Sequence, residues 1–219
     1  EKELSAIGYV KGDYYSDLTL LQANVACAQK VVVLADRLES ERPEEVDSKT
    51  VMAVLTIRSL SKDVYICAEL LDEKYEPYLK QALCDEIIRI RDYSRMIVAN
   101  SSATNGISQI IYTLMSPEKG SAKLATCAIP DNFVNKSYSE LKVHINQQST
   151  QVLLGILENT GSPNKMKIHA LREAQKTANI SMLVSNLQEV KALKVNNPVF
   201  LPGDGYVIKP NSMGIILEK

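Results

Sequence analysis

Three places in this sequence set a carboxylate just beyond an apolar run. Asp13 follows Tyr9-Val10-Lys11-Gly12, Asp36 follows the run from Lys30 to Ala35, and Glu69 follows Val64 to Ala68. If each run is a strand of one parallel sheet, the carboxylates collect at its carboxyl end, where open α/β sheets bind their ligands. Asp36 and Glu69 close two consecutive strands and are candidate ligands for a hard divalent cation such as calcium. The acidic stretch Glu39, Glu41, Glu44, Glu45 and Asp47 lies beside them. Calcium takes about six to eight oxygen donors, so two carboxylates with backbone carbonyls and water make a weak site. The plainer alternatives are that Asp13 or Ser16 caps the next helix and that Asp36 and Glu69 are solvated loop charges.

Other chemistry is poorly provided for. The two histidines, His144 and His169, are isolated, and the cysteines, Cys27, Cys67, Cys84 and Cys127, form no CxxC pair. A zinc site is therefore not expected, and reduced thiols buried among apolar neighbours are. No GxSxG, HExxH or P-loop occurs, and no catalytic role is expected. Asp72, Glu73 and Glu76, with Lys74 and Lys80, suit the exposed first turns of a helix. Asp204, between Gly203 and Gly205, suits a turn.

The elements that must position these residues alternate. Tyr9-Val10 reads as a short strand and the residues from Ser16 as a helix with Leu18, Leu21 and Val25 on one face. Lys30 to Ala35 is a β-branched run suited to a strand buried on both faces. Glu39 to Asp47 contains Pro43 and reads as a loop, after which Ser48 caps a helix carrying Val51, Val54, Leu55 and Ile57. Val64 to Ala68 reads as a strand, Tyr75 to Leu83 as a helix, and Glu86 to Ile90 as a strand. Such β-α-β alternation implies a parallel sheet with right-handed crossovers and helices on its faces.

Tyr93 to Met115 then reads as one long helix. Ser116 to Gly120 (Ser-Pro-Glu-Lys-Gly) breaks the pattern and marks a domain boundary. Beyond it, Leu124 to Ile129, Gln151 to Leu157, Tyr206 to Ile208 and Met213 to Leu217 read as strands. A helical segment runs from about residue 163 to 192. Pro163 stands at its first helical position, Leu171, Ala174 and Ala178 share a face, and Asn179-Ile180 can divide it.

Composition narrows the partners. The 219 residues are 45% apolar and 23% charged with a net charge of −1. No broad basic field exists for a phosphate backbone, so no nucleic-acid partner is expected. No apolar run reaches the roughly 18 residues of a membrane span, and the start, Glu1-Lys2-Glu3-Leu4, is not that of a signal peptide.

Taken together, Gly12-Asp13, Ser-Asp-Leu-x-x-Leu-x-Ala-Asn-Val at 16–25, Ala-Gln-Lys-Val-Val-Val-Leu-Ala at 28–35, Asp47-Ser48-Lys49-Thr50 and Tyr65-Ile66-Cys67-Ala68-Glu69 resemble an RCK domain. This is the regulator of potassium conductance, also called the TrkA N-terminal domain. The resemblance covers residues 8–115. Asn197-Pro198, Tyr206-Val207-Ile208 and Ser212 to Ile216 are similar to the closing strands of the TrkA-C lobe that follows it. The resemblance implies an α/β fold: a partial Rossmann-like parallel sheet with a crossover helix at about 93–115, and a smaller α+β lobe over 121–219. The segment at 163–192 would be an insertion in that lobe. The family's two first strands and their glycine-rich phosphate turn have no counterpart, and no GxGxxG occurs. A fragment completed by other chain is therefore expected, with a nucleotide bound only if that part is supplied.

The resemblance also implies a function. The chain would be the ligand-sensing gating-ring domain of a potassium channel, on the cytoplasmic face of the membrane. It would pair as a homodimer through residues 94–115, assemble into a ring below the pore domain, and control conduction by ligand-dependent lobe movement. The ligand cleft would be bounded by Gly12, Asp13, Ala35, Asp36 and Glu69, with calcium or another divalent cation at Asp36 and Glu69. Some calcium-gated members carry another acid two residues after the position of Glu69, where this sequence has Leu71. The alternatives are a soluble regulatory subunit of a potassium uptake transporter and a fragment of an NAD-dependent oxidoreductase. The missing glycine turn argues against the last.

Overall fold

A computed structural model describes residues 7–38, 42–116, 120–148, 151–162, 166, 168, 170–172, 175–176, 180–192 and 194–219. The chain forms two compact units, Glu1–Ala99 and Asn100–Lys219. Their division falls upstream of the sequence break at 116–120.

In the first unit, β1 (Lys30–Val33), β2 (Tyr65–Leu70) and β3 (Glu86–Arg89) form a parallel sheet in the order β1-β2-β3. The helices are α1 (Asp17–Gln22), α2 (Pro43–Leu60) and α3 (Glu76–Gln81). In β2, Ile66, Ala68 and Leu70 are buried while Tyr65, Cys67 and Glu69 are half-buried. The buried set joins Leu20 of α1, Val54 and Ile57 of α2 and Leu79 of α3 in a single core cluster. Each fully buried aliphatic side chain there contributes roughly 1.5–3 kcal/mol.

Several expectations change here. All three helices share one cluster, so the sheet of this unit is covered on one face rather than two. Val33 of β1 is buried, whereas Val32 remains 63% exposed. Tyr9-Val10 forms no strand: residues 7–11 lack sheet pairing, and an extended dipeptide without a partner has no ladder to join. The acidic stretch before Ser48 is a loop only in part. Pro43 stands at the first position of α2, where its missing N–H costs nothing, and Glu44 and Glu45 face the positive end of the helix dipole. Glu39 and Glu41 lie outside the described residues.

The helix expected over 93–115 is two helices, α4 (Ile90–Ala103) and α5 (Ile107–Met115). Gly106, at φ 82°, takes the left-handed conformation that ends one and starts the other. Neither contains a buried residue, and Met96, Val98, Ile110 and Tyr112 are all more than half exposed.

The second unit holds a four-stranded antiparallel sheet in the order β4-β7-β5-β6, formed by β4 (Lys123–Ala128), β5 (Val152–Glu158), β6 (Asn197–Phe200) and β7 (Met213–Glu218). Helix α6 (Tyr138–Gln148), not foreseen from the sequence, supplies Tyr138, Leu141 and Ile145 to a core with Leu153, Ile156, Ile208 and Ile216. The Tyr138 hydroxyl donates to the Leu153 carbonyl at 3.2 Å, so the buried phenol is satisfied. Tyr206 to Ile208 is not a strand. Its one pairing is a bridge from Val207 to Ser137, and the turn from Gly203 to Tyr206, with Asp204 inside it, re-aims the chain. In the helical segment, α7 (Ile180–Ala192) is observed, while Pro163, Ala174, Ala178 and Asn179 lie outside the described residues.

Candidate functional site: the carboxyl end of the parallel sheet

Parallel pairing of Val33 with Ala68 brings the ends of β1 and β2 side by side. Glu69, next along β2, reaches across the gap. Its Oε2 accepts the Ala35 N–H at 3.0 Å, and its Oε1 lies 3.6 Å from the Arg37 guanidinium. The Glu69 side chain is 13% exposed and Arg37 is 56% exposed. The carboxylate thus ties the residues after β1 to β2, and a cation entering here meets a carboxylate already bonded on both oxygens.

Asp36 sits in the same loop, but its bond is local. Its Oδ1 accepts the Leu38 N–H at 2.8 Å, an Asx turn two residues on. Asp13 lies at the entry to α1. Its carbonyl accepts the Ser16 N–H at 3.0 Å, its side chain is exposed, and Ser16 makes no side-chain cap. Gly12 has a steric role: a Cβ there would stand 2.5 Å from Thr19 Oγ1, so glycine lets the loop lie against α1 without displacing that side chain. The structure therefore brings Ala35, Asp36 and Glu69 together at one sheet end, and records no hydrogen bond from the Asp13 side chain to them among the described residues. No group of three or more Asp, Glu, His or Cys side chains suited to a metal occurs among the described residues.

Two residues matter more than their sequence positions suggest. Arg37 is the partner of Glu69, and its signal was adjacency to Asp36. Asp47 is fully buried on α2, and its two oxygens accept the N–H groups of Leu71 at 3.0 Å and Asp72 at 2.8 Å. Burial raises its pKa above the usual carboxylate value against the opposing pull of those N–H groups. Leu71, two residues after Glu69, is itself buried. The amino end of the sheet carries a further buried carboxylate, Asp85. It pairs with Arg58 at 3.0 Å and accepts the Ile66 N–H at 2.8 Å, while Arg58 also donates to the carbonyls of Lys62, Val64 and Leu83.

His144 packs against Phe133 at 4.7 Å between ring centroids, and His169 lies outside the described residues. The four thiols are free. Cys84 is buried, its pKa pushed up to about 12 by burial, but Cys27 is exposed, contrary to expectation.

Helix α1, β1, α2 and β2 as far as Ala68 fall within a family match. Residues 2–68 match the calcium-activated potassium channel slowpoke-like RCK domain. Over those residues the chain is similar to an RCK domain. The match contains Gly12, Asp13, Ala35 and Asp36 and stops one residue before Glu69. Over 109 residues, 49% of its length, the chain is 30% identical to the calcium-gated potassium channel TvoK of Thermoplasma volcanium. Over 163 residues, 71% of the chain, it is 22% identical to the putative potassium channel protein YugO of Bacillus subtilis. It spans 31% and 46% of those two relatives. The human SLO3 gating ring shares the fold, with a TM-score of 0.65 at 14% identity, covering 99% of this chain and 37% of that one. Among the described residues no helix is long and apolar enough to cross a membrane.

Proposed function

We propose that this chain is an RCK-type ligand-sensing regulatory domain of a potassium channel, working on the cytoplasmic face of the membrane rather than as an enzyme. Its ligand enters the crevice at the carboxyl ends of β1 and β2, bounded by Gly12, Asp13, Ala35, Asp36 and Glu69. The ligand is calcium or another divalent cation held by Asp36 and Glu69, with a nucleotide as the further possibility if strands preceding β1 supply a phosphate turn. The observation that carries this reading is the position of Glu69. Its carboxylate bridges β1 and β2, so a cation that draws it from Arg37 and the Ala35 N–H must move the β1 loop. The calcium-gated relative supports the choice of ion.

Sensing becomes gating only if the ligand binds one arrangement of the protein better than another, and a coupling of about 1–3 kcal/mol per site is typical. Exposed apolar residues on each helix, Met96 and Val98 on α4 and Ile110 and Tyr112 on α5, support a homodimer through residues 94–115. Dimers would then assemble into a ring that acts on a pore domain by lobe movement.

The test is calcium titration calorimetry on the wild-type chain and on Glu69→Gln, paired with potassium currents from the parent channel carrying the same change. Saturable heat lost in the variant, with a right-shifted calcium response, supports the reading. Equal heats from both proteins would remove calcium from this crevice.

A further inference from the structure

The next crevice along the sheet, between the ends of β2 and β3, has the opposite chemistry. A pocket of about 190 Å³ opens there, lined by Leu71, Asp72 and Glu73 after β2 and by Arg89, Arg91, Asp92 and Arg95 of β3 and α4. The three guanidiniums are unequally committed. Arg89 is paired with Glu76 at 3.3 Å and with Asp92 at 3.2 Å. Among the described residues Arg95 has a single long pairing, 3.9 Å to Asp92. Arg91 makes no ion pair among the described residues; the pKa of Asp72 is held down chiefly by the Lys74 N–H, with the Arg91 charge a lesser contributor.

The acidic side chains of the pocket are occupied unequally too. Asp72 accepts the Lys74 N–H at 3.0 Å and lies 3.6 Å from the Lys74 ammonium, and Asp92 faces Arg89 and Arg95. Glu73 is exposed. The wall that carries Asp72 is fixed from beneath, because the buried Asp47 carboxylate holds both the Leu71 and the Asp72 N–H. The opposite wall opens α4, whose first N–H groups have no intrahelical acceptor. Two under-used guanidiniums therefore face a rigid loop across a cavity.

We propose that this crevice is a second ligand site, taking a small oxyanion, a phosphate group, between Arg91 and Arg95. Guanidinium presents paired donors that match phosphate oxygens, and such charge-assisted bonds are about twice as strong as neutral ones. The cavity volume sets the size. It is below the roughly 300 Å³ of pockets that enclose whole organic ligands, so it takes the phosphate group and leaves any larger body outside. Binding would draw Arg95 from Asp92. This site does not require a cation between β1 and β2, and the variants that test the two sites are different.

The test uses the full ¹⁵N-labelled chain at low ionic strength, titrated with inorganic phosphate and, separately, with adenosine monophosphate. Phosphate should give saturable shifts confined to the amides of residues 71–73 and 89–95. Arg91→Gln, an exposed change that leaves the core untouched, should weaken binding by about tenfold or more, and Arg91→Lys by less. Asp92→Asn should tighten it by releasing Arg95. Arg42→Gln, an equal loss of charge on α2, should leave it unchanged. Adenosine monophosphate competing at the same amides identifies a nucleotide as the source of the phosphate, and its failure to compete assigns free phosphate. Shifts spread over many lysines, no saturation, or equal weakening by Arg42→Gln and Arg91→Gln would overturn the proposal.

Discussion

The two ends of the parallel sheet use carboxylates differently. At the amino end, Asp85 is buried and fully committed: to Arg58, to the Ile66 N–H, and through Arg58 to three backbone carbonyls. At the carboxyl end, Glu69 bonds the Ala35 N–H and an exposed Arg37, and Asp36 bonds, among the described residues, only its own turn. The first arrangement locks loops together and leaves nothing to exchange with solvent. The second keeps weak, replaceable partners next to an opening. Rigidity at one end and exchangeable bonds at the other are what a binding scaffold needs, because ligand energy is then spent on one loop and not on the whole sheet.

The comparison breaks most sharply at Asp85. Asp85→Ala leaves the Arg58 guanidinium buried without its counter-ion, and should lower unfolding stability by about 3–5 kcal/mol. Urea melts read it directly; a loss below 1 kcal/mol would mean the amino end is no more committed than the other.

Asp47→Asn comes next. An amide cannot accept both the Leu71 and Asp72 N–H groups, so about 1–3 kcal/mol should go. The pH dependence carries a sign. The folded pKa of Asp47 is raised, so the stability it contributes is fully present below its ordinary value of 3.8 and is lost as pH rises through the raised folded value. The difference between wild type and Asp47→Asn should therefore be largest in acid and narrow as pH rises. A constant difference across acid melts would remove the raised pKa from the account.

In the second unit Glu158 has the reverse sign. Burial raises its pKa, but the bonds from Lys209 at 2.7 Å, from the Tyr206 hydroxyl and from Asn197 outweigh that and hold it below 4.5. Its contribution is present above 4.5 and fades as pH falls through the lowered value. Lys209→Met should make that acid loss shallower, visible in thermal melts taken over the acid range.

The smallest stability effect belongs to the proposed ligand end. Glu69→Gln keeps an acceptor for the Ala35 N–H and loses only an exposed ion pair, so stability should change by less than about 1 kcal/mol. Its effect should appear instead in the calcium titration. A large stability loss here would place Glu69 with Asp85, as a structural group.

Much of the fold was legible in the residues. The runs Lys30–Val33, Tyr65–Leu70 and Glu86–Arg89 stand out because β-branched and apolar residues between charged or breaking segments have few other uses. The grouping of Ala35, Asp36 and Glu69 followed from parallel strands ending on one side. Gly106 was not read as a break, because a lone glycine in an apolar helical pattern is usually tolerated; only its left-handed backbone shows the division. Helix α6 was missed because its buried positions, Tyr138, Leu141 and Ile145, are spread among polar neighbours.

What the sequence determined by itself was local: which segments extend, which coil, and which charges lie just beyond them. Those follow from backbone preferences and periodicity, which act over a few residues. The roles of the charges were decided by tertiary structure. Asp47 looks like one more acid in a charged stretch, yet packing buries it under the end of β2. Arg58 and Asp85 are 27 residues apart and carry no shared motif. A carboxylate becomes a clamp, a turn residue or a candidate ligand according to which N–H groups and guanidiniums long-range packing brings within about 3 Å. That distance is set by the fold as a whole, and no window of neighbouring residues contains it.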